Sequence, residues 1–209
     1  FFPEHFPDGV EHSIPLNEIF HGGPLKDGIP ALTNPKTLPA DVANYLHDDD
    51  LVLGLTINGE SRAYPLRIMN WHEIVNDRVN GQPIAVTFCP LCNSALTFDR
   101  RHDGRVLTFG VSGKLRNSDM IMYDRETESW WQQALGQGIV GDYAGDELTP
   151  LPSWMEAWSV FAARNPDGLV MGEPDHRRPY GQNPYAGYDD RARPYPFFTG
   201  EMPPHDIPA

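Results

Sequence analysis

The two cysteines of this 209-residue chain stand three positions apart, in Cys89-Pro90-Leu91-Cys92, and that spacing supports three kinds of chemistry. Two thiolates on one tight turn can grip a single ion, with backbone N–H groups turned toward the sulfurs. Pro90 presets φ after the first cysteine, and Asn93 tolerates the left-handed conformation that closes such a knuckle. The flanks Pro83–Phe88 and Ala95–Asp99 read as strands, as in a zinc-ribbon knuckle. There is no second cysteine pair, so further ligands must come from His, Asp, Glu, Met or a second subunit. Two cysteines, one histidine and an open position make the pattern of a catalytic zinc. Soft thiolates also suit copper, and Met69, Met120 and Met122 lie near the segments of interest. The same spacing serves thiol–disulfide exchange with Cys89 as the attacking thiol. In thioredoxin-like proteins, however, the pair opens a helix that lowers the first thiol's pKa, and here a strand follows. A structural disulfide or two buried thiols is the third reading, since free cysteine is among the most buried residue types.

His72 is the histidine best placed to join the pair. It lies seventeen positions before Cys89 in Trp71-His72-Glu73, enough chain for a return strand to bring the two together. A lone histidine among apolar neighbours is also commonly a satisfied core residue. His5, His12 and His21 sit in a proline-rich arm, His47 and His102 beside turns, and His176 and His205 in the tail. The segment Phe109 to Asp119 gathers Gly, Ser, Lys, Arg, Asn and Asp behind a strand, and loops fixed to a rigid scaffold favour function. Ser94, Ser112, Ser118 and Asp119 are the candidates for orienting metal ligands, because a ligating histidine needs a hydrogen-bonded partner. Ser112-Gly113-Lys114 lacks the spaced glycines of a phosphate loop. No G-x-S-x-G elbow supports a serine hydrolase, and catalytic residues stay unassigned.

The elements that must position these residues are mostly short strands. Leu51–Ile57 and Ser61–Pro65 flank Asn58-Gly59, the strongest two-residue hairpin signal. Asn80-Gly81 marks another turn. Ala95–Asp99 is expected to pair with Val106–Val111 around Asp103-Gly104, Met120–Asp124 with Ser129–Gln133, and Gly136–Tyr143 with Glu147–Leu151. Apolar residues at i, i+3, i+4 and i+7 predict one or two helical turns over Ile68–Val75. Ser153 with Glu156 three residues on forms a capping-box pattern, predicting a helix from Ser153 to Arg164. Prolines at 3, 7, 15, 24, 30, 35 and 39 leave no room for a long helix near the start, though Pro39 to Leu46 admits a short one.

These signals predict a mainly β fold. The core is a barrel or sandwich of short antiparallel strands with one or two helices and long Pro-rich irregular arms. Residues 1–45 form the N-terminal arm, 46–172 the core domain, and 173–209 a Pro/Tyr-rich tail packed on the core. The formal net charge is −13, without a Lys/Arg run, which argues against nucleic acid as a partner. No stretch approaches the roughly eighteen apolar residues of a membrane span. The opening Phe1-Phe2-Pro3 and the acidity suggest a mature exported chain after signal removal, periplasmic or secreted. A protein partner or a homo-oligomer would be reached through the two arms.

Three blocks carry a resemblance. Trp71-His72-Glu73-Ile74-Val75-Asn76-Asp77, Cys89 through Ala95, and Phe109-Gly110-Val111-Ser112-Gly113 through Asn117-Ser118-Asp119 together resemble the domain of unknown function 3179 family. Tyr123-Asp124-Arg125, Ser129-Trp130 and Asn183-Pro184-Tyr185 extend it, over roughly residues 26–190. The resemblance implies an exported bacterial or archaeal protein, commonly with a signal peptide or lipid anchor, and supplies no reaction. The expectation is an extracytoplasmic zinc or copper protein with its metal on Cys89, Cys92 and His72. The alternatives are a thiol–disulfide protein and a non-catalytic subunit of an exported assembly.

Overall fold

A computed structural model describes residues 4–174 and 178–191. The chain is mainly β, with two α-helices among these residues and no closed barrel. Three five-stranded sheets carry the fold. The middle layer orders Leu32–Thr33, Ile74–Val79, Gln82–Cys89, Ser94–Asp99 and Pro150–Leu151. A second sheet orders Ser153–Ala157, Leu51–Ile57, Glu60–Pro65, Leu169–Met171 and Thr37–Pro39. The third orders Ile19–His21, Phe109–Arg116, Asp119–Asp124, Trp130–Gln132 and Gln137–Val140.

Strand periodicity makes the middle sheet a two-sided core. Val75, Val79, Ile84, Val86 and Phe88 face the second sheet, packing on Leu53, Leu55 and Tyr64 and on Ile68 and Met69 of helix α1 (Leu66–His72). The alternate residues Ile74, Ala85, Cys89 and Phe98 face the third sheet, packing on Phe109, Val111, Met120, Met122 and Trp131. Successive side chains of a strand point to opposite faces, so Phe88 and Cys89 serve different cores. Both faces being covered also explains why Gln82–Cys89 lacks the clean apolar–polar alternation of a half-exposed strand.

Turn chemistry follows the sequence closely. Asn58 and Gly59 have φ of 49° and 86°, and Asn80 and Gly81 have 44° and 80°, the paired positive values of two-residue hairpin loops. Met120–Asp124 and Trp130–Gln132 pair as expected, within Asp119–Asp124. Ser94–Asp99 pairs instead with Gln82–Cys89, and Asp103-Gly104 closes only the short ladder of Arg101–His102 with Arg105–Val106. The expected hairpin of Gly136–Tyr143 with Glu147–Leu151 reduces to a single bridge, Gln137 to Glu147, while Pro150–Leu151 joins Ser94–Asp99.

The helix expected from Ser153 is half strand. Ser153–Ala157 pairs antiparallel with Leu51–Ile57, and helix α2 begins only at Trp158, running to Arg164. Five paired positions outweigh a local capping pattern, as tertiary context routinely does. Glu156 does not cap; its Oε1 accepts from Trp154 Nε1 at 2.8 Å and pairs with Arg164. Residues Ala40–Val42 form one 3₁₀ turn where the short helix after Pro39 was expected.

The N-terminal arm is more than a wrapping. Ile19–His21, Leu32–Thr33 and Thr37–Pro39 each add an edge strand to a different sheet. The tail from 178 to 191 lies against α1, where Trp71 Nε1 donates to the Gln182 carbonyl at 3.1 Å. The remainder of the tail, with His176 and His205, lies outside the described residues.

Asn76 ties the layers together. It is fully buried; its Nδ2 donates to the Phe109 carbonyl and its Oδ1 accepts from the Phe109 N–H, both at 2.8 Å. Asn76→Ala would orphan both backbone groups inside the core. The expected loss is about 2 kcal/mol, read as a lower urea midpoint with an unchanged slope.

Candidate metal centre

Cys89 ends one strand and Ser94 begins the next, directly opposite in register, so Pro90–Asn93 is the turn between them. Asn93 takes φ 50° there. Cys89 is buried and Cys92 exposed. The third contributor comes from across the core. Phe109–Arg116 and Asp119–Asp124 are joined by Asn117 and Ser118, both at positive φ, 51° and 63°. Positive φ is uncommon outside glycine and asparagine, and at Ser118 it delivers Asp119 to the cysteine pair.

The ligand atoms of Cys89, Cys92 and Asp119 all lie within 4.8 Å of one another, a group that could hold a metal ion. The Cys92 thiol donates to Asp119 Oδ1 at 3.3 Å, and the Cys89 thiol contacts the Ser118 carbonyl at 3.8 Å. Asp119 Oδ2 accepts from the Ala134 N–H at 3.0 Å, which fixes the carboxylate from behind. Hydrogen bonding to Cys92, then burial and the nearby acidic charges, push the Cys89 thiol well above its usual range. Burial raises the Asp119 carboxyl, against the hydrogen bonds that it accepts. Three groups that turn anionic on losing their protons thus crowd one partly buried spot.

His72 stands apart from this group. It is fully buried at the end of α1; Nδ1 is 2.7 Å from the Pro30 carbonyl and Nε2 is 2.7 Å from the Tyr180 hydroxyl. Both ring nitrogens are therefore engaged, and the ring joins the arm, the helix and the tail. Among the expected orienting residues, Ser118 touches Cys89 through its carbonyl, and its buried hydroxyl has no partner among the described residues. Ser94 lends its carbonyl to Gln133 Nε2 at 3.2 Å. Ser112 belongs to a bulge: its hydroxyl donates to the Ile121 carbonyl and accepts from the Lys114 N–H. The neighbouring Gly113, at φ 75°, is forced, because a Cβ there would meet the Pro24 carbonyl oxygen at 2.1 Å.

Sequence reasoning missed Glu73 and Tyr185. Glu73 caps α1 at φ 58° and ψ −32°, and its carbonyl accepts from the Phe88 N–H at 2.8 Å, one residue before Cys89. Its side chain is buried, with Tyr185 Oη donating to Oε1 at 2.9 Å. Burial pushes its carboxyl up from 4.5 to about 7, and the Tyr185 hydrogen bond opposes the rise. Its sequence signal is its place between His72 and an apolar strand, inside a block of the family resemblance that assigned it no role. Cys92 lines an open cleft of about 710 Å³, walled by the Pro90–Asn93 turn, by Arg67 and Asn70 of α1, and by Gln182 and Tyr188 of the tail.

A three-layer β scaffold with a cysteine-pair turn facing a carboxylate defines the class of the chain. The family model described as "Protein of unknown function (DUF3179)" matches residues 26–208, and the chain belongs to that family. Neither the curated proteins nor the solved structures give a match. No helix among the described residues is long and apolar enough to cross a membrane.

Proposed function

We propose that the chain is a metal-binding protein whose ion is held by Cys89, Cys92 and Asp119. The observation that carries this reading is the convergence of two thiols and a carboxylate within 4.8 Å from two different sheets. Zinc–sulfur and zinc–oxygen bonds of about 2.3 and 2.1 Å need only a small contraction of such a group. A divalent cation also offsets the hydrogen bonding, burial and nearby acidic charge that raise the Cys89 thiol pKa. The donor set favours zinc over copper, because a hard carboxylate beside two thiolates suits a borderline ion better than a soft one. With a fourth position open toward the cleft, zinc supplies Lewis-acid chemistry; closed, it staples the turn to the third sheet.

The cobalt-substituted protein tests the coordination. Cobalt(II) is expected to give thiolate charge-transfer absorption at one equivalent, lost in Cys92→Ser. Because binding must displace the thiol proton of Cys89, whose pKa is raised, apparent affinity falls as pH falls. Absorption that is weak, or that survives Cys92→Ser, contradicts the proposed ligands.

A thiol–disulfide role is the second reading, favoured by the adjacency of the two thiols. Exchange would then start at exposed Cys92; Cys89, 1% exposed and with a raised pKa, is a poor attacking thiol. An extracytoplasmic location belongs to the same proposal, since a bound ion protects paired thiols from an oxidising compartment. For a role as an assembly subunit, removal of residues 1–40 is a poor test. It would strip edge strands from all three sheets.

A further inference from the structure

A smaller cavity of about 200 Å³ lies behind the cysteine turn. Its apolar walls are Ile29, Leu91, Val111, Leu115 and Met120. Leu91 stands between the two cysteines and Met120 follows Asp119, so the walls continue directly from the three converging side chains. Glu73 reaches the same space, with Tyr185 and Lys114 beside it.

Two costs meet at Glu73. Its side chain belongs to a residue only 6% exposed, and its backbone holds a positive φ with negative ψ, outside even the left-handed helical region. Buried acidic groups in apolar surroundings are unfavourable without full hydrogen bonding, and residues in rare backbone regions cluster at binding sites. Among the described residues, the side chain accepts one hydrogen bond, from Tyr185 to Oε1, which leaves Oε2 for a guest. The Lys114 ammonium is engaged by His21 Nδ1 at 2.8 Å and by Glu4 at 3.7 Å. The cavity therefore offers the Glu73 acceptor at one end, with Tyr185 and the ion-paired Lys114 beside it, and mainly apolar walls elsewhere. Its volume is below that of drug-sized pockets.

We infer that this cavity is the guest pocket of the metal centre, taking a small, mainly apolar alcohol or amine whose head group donates to Glu73. The inference rests on the metal reading for the proximity of the guest to an ion, while the fit of the guest rests on the cavity alone. The apolar part of the guest packs between Val111, Leu115 and Met120.

The test titrates 1-butanol and n-butylamine into the full chain, zinc-loaded and EDTA-treated, and follows backbone amides by NMR. Saturable shifts at Val111, Leu115 and Met120 are expected in both forms. In Glu73→Gln, which keeps the residue's shape, n-butylamine affinity should fall about tenfold, in line with the loss of a charge-assisted hydrogen bond. Leu115→Phe fills the cavity and should abolish both titrations; should that variant fail to fold, Glu73→Gln decides. Shifts that do not saturate, or n-butylamine affinity unchanged in Glu73→Gln, overturn the inference. Zinc content measured on the same samples reports on the metal reading separately, because the EDTA-treated titration needs no ion.

Discussion

Zinc in excess is expected to raise the melting temperature of the chain by about 10 °C, and EDTA to reverse the rise. An ion bound only by the folded state adds about 4 kcal/mol when its free concentration is a thousand times the dissociation constant. For a domain of this size each kcal/mol moves the midpoint by about 2–4 °C. The ligands come from separate sheets: Cys89 ends a strand of the middle sheet, Cys92 lies in the turn that follows it, and Asp119 opens a strand of the third sheet. An ion joining them clamps the face on which Cys89 packs with Met120 and Met122. Differential scanning calorimetry with and without zinc reads the shift directly. Cys89→Ser should melt at the same temperature in zinc and in EDTA.

The second large effect is on the pH dependence of stability. The folded-state pKa of Glu73 is raised, from 4.5 to about 7. A carboxyl raised in this way favours the protonated folded state. Its contribution is fully present below about pH 4.5 and is lost as pH climbs through 7. The loss over that window is roughly 3 kcal/mol. Glu73→Gln carries no charge at any pH, so the variant should match the parent near pH 4.5 and exceed it by up to about 3 kcal/mol at pH 8. Urea denaturation of both proteins in EDTA, at several pH values, gives the two curves. Parallel curves would mean that Glu73 is ionised in the folded protein at neutral pH, with a partner for its charge.

The pattern of turns was legible from particular dipeptides. Asn58-Gly59 and Asn80-Gly81 both sit at positive φ in hairpin loops, because few other pairs adopt that geometry without strain. The Cys89–Cys92 turn was legible for the same reason, from Pro90 and Asn93. Long-range pairing was not. The strand at Ser153–Ala157 depends on its pairing with the distant Leu51–Ile57, and Pro150–Leu151 likewise joins Ser94–Asp99 from some fifty positions away in place of its expected local hairpin. The capping pattern of Ser153 and Glu156 could not report those contacts. The middle sheet is buried on both faces, so its strands carry no alternation from which a layer order can be read.

The candidate site shows the same division. Cys89 and Cys92 are neighbours in sequence, and their spacing announced them. The third member had to be chosen from a distance. His72 has the better ligand chemistry, but its ring is engaged by Pro30 and Tyr180. Asp119, read as an orienting residue, is the group brought to the thiols. The signal for it was Asn117-Ser118, a less usual pair for a two-residue hairpin loop, whose positive φ values turn the chain back at that point. Glu73 and Tyr185 lie 112 positions apart, and only the packing of the tail on α1 unites them.

Elemental analysis of protein purified without chelator, compared across the parent, Cys89→Ser, Asp119→Asn and His72→Gln, tests the metal centre most directly. The expected result is near-stoichiometric zinc in the parent, loss of the ion in Cys89→Ser and Asp119→Asn, and retention in a folded His72→Gln. A parent without metal and without free thiols would contradict the account, since Cys89 and Cys92 would then be joined to each other.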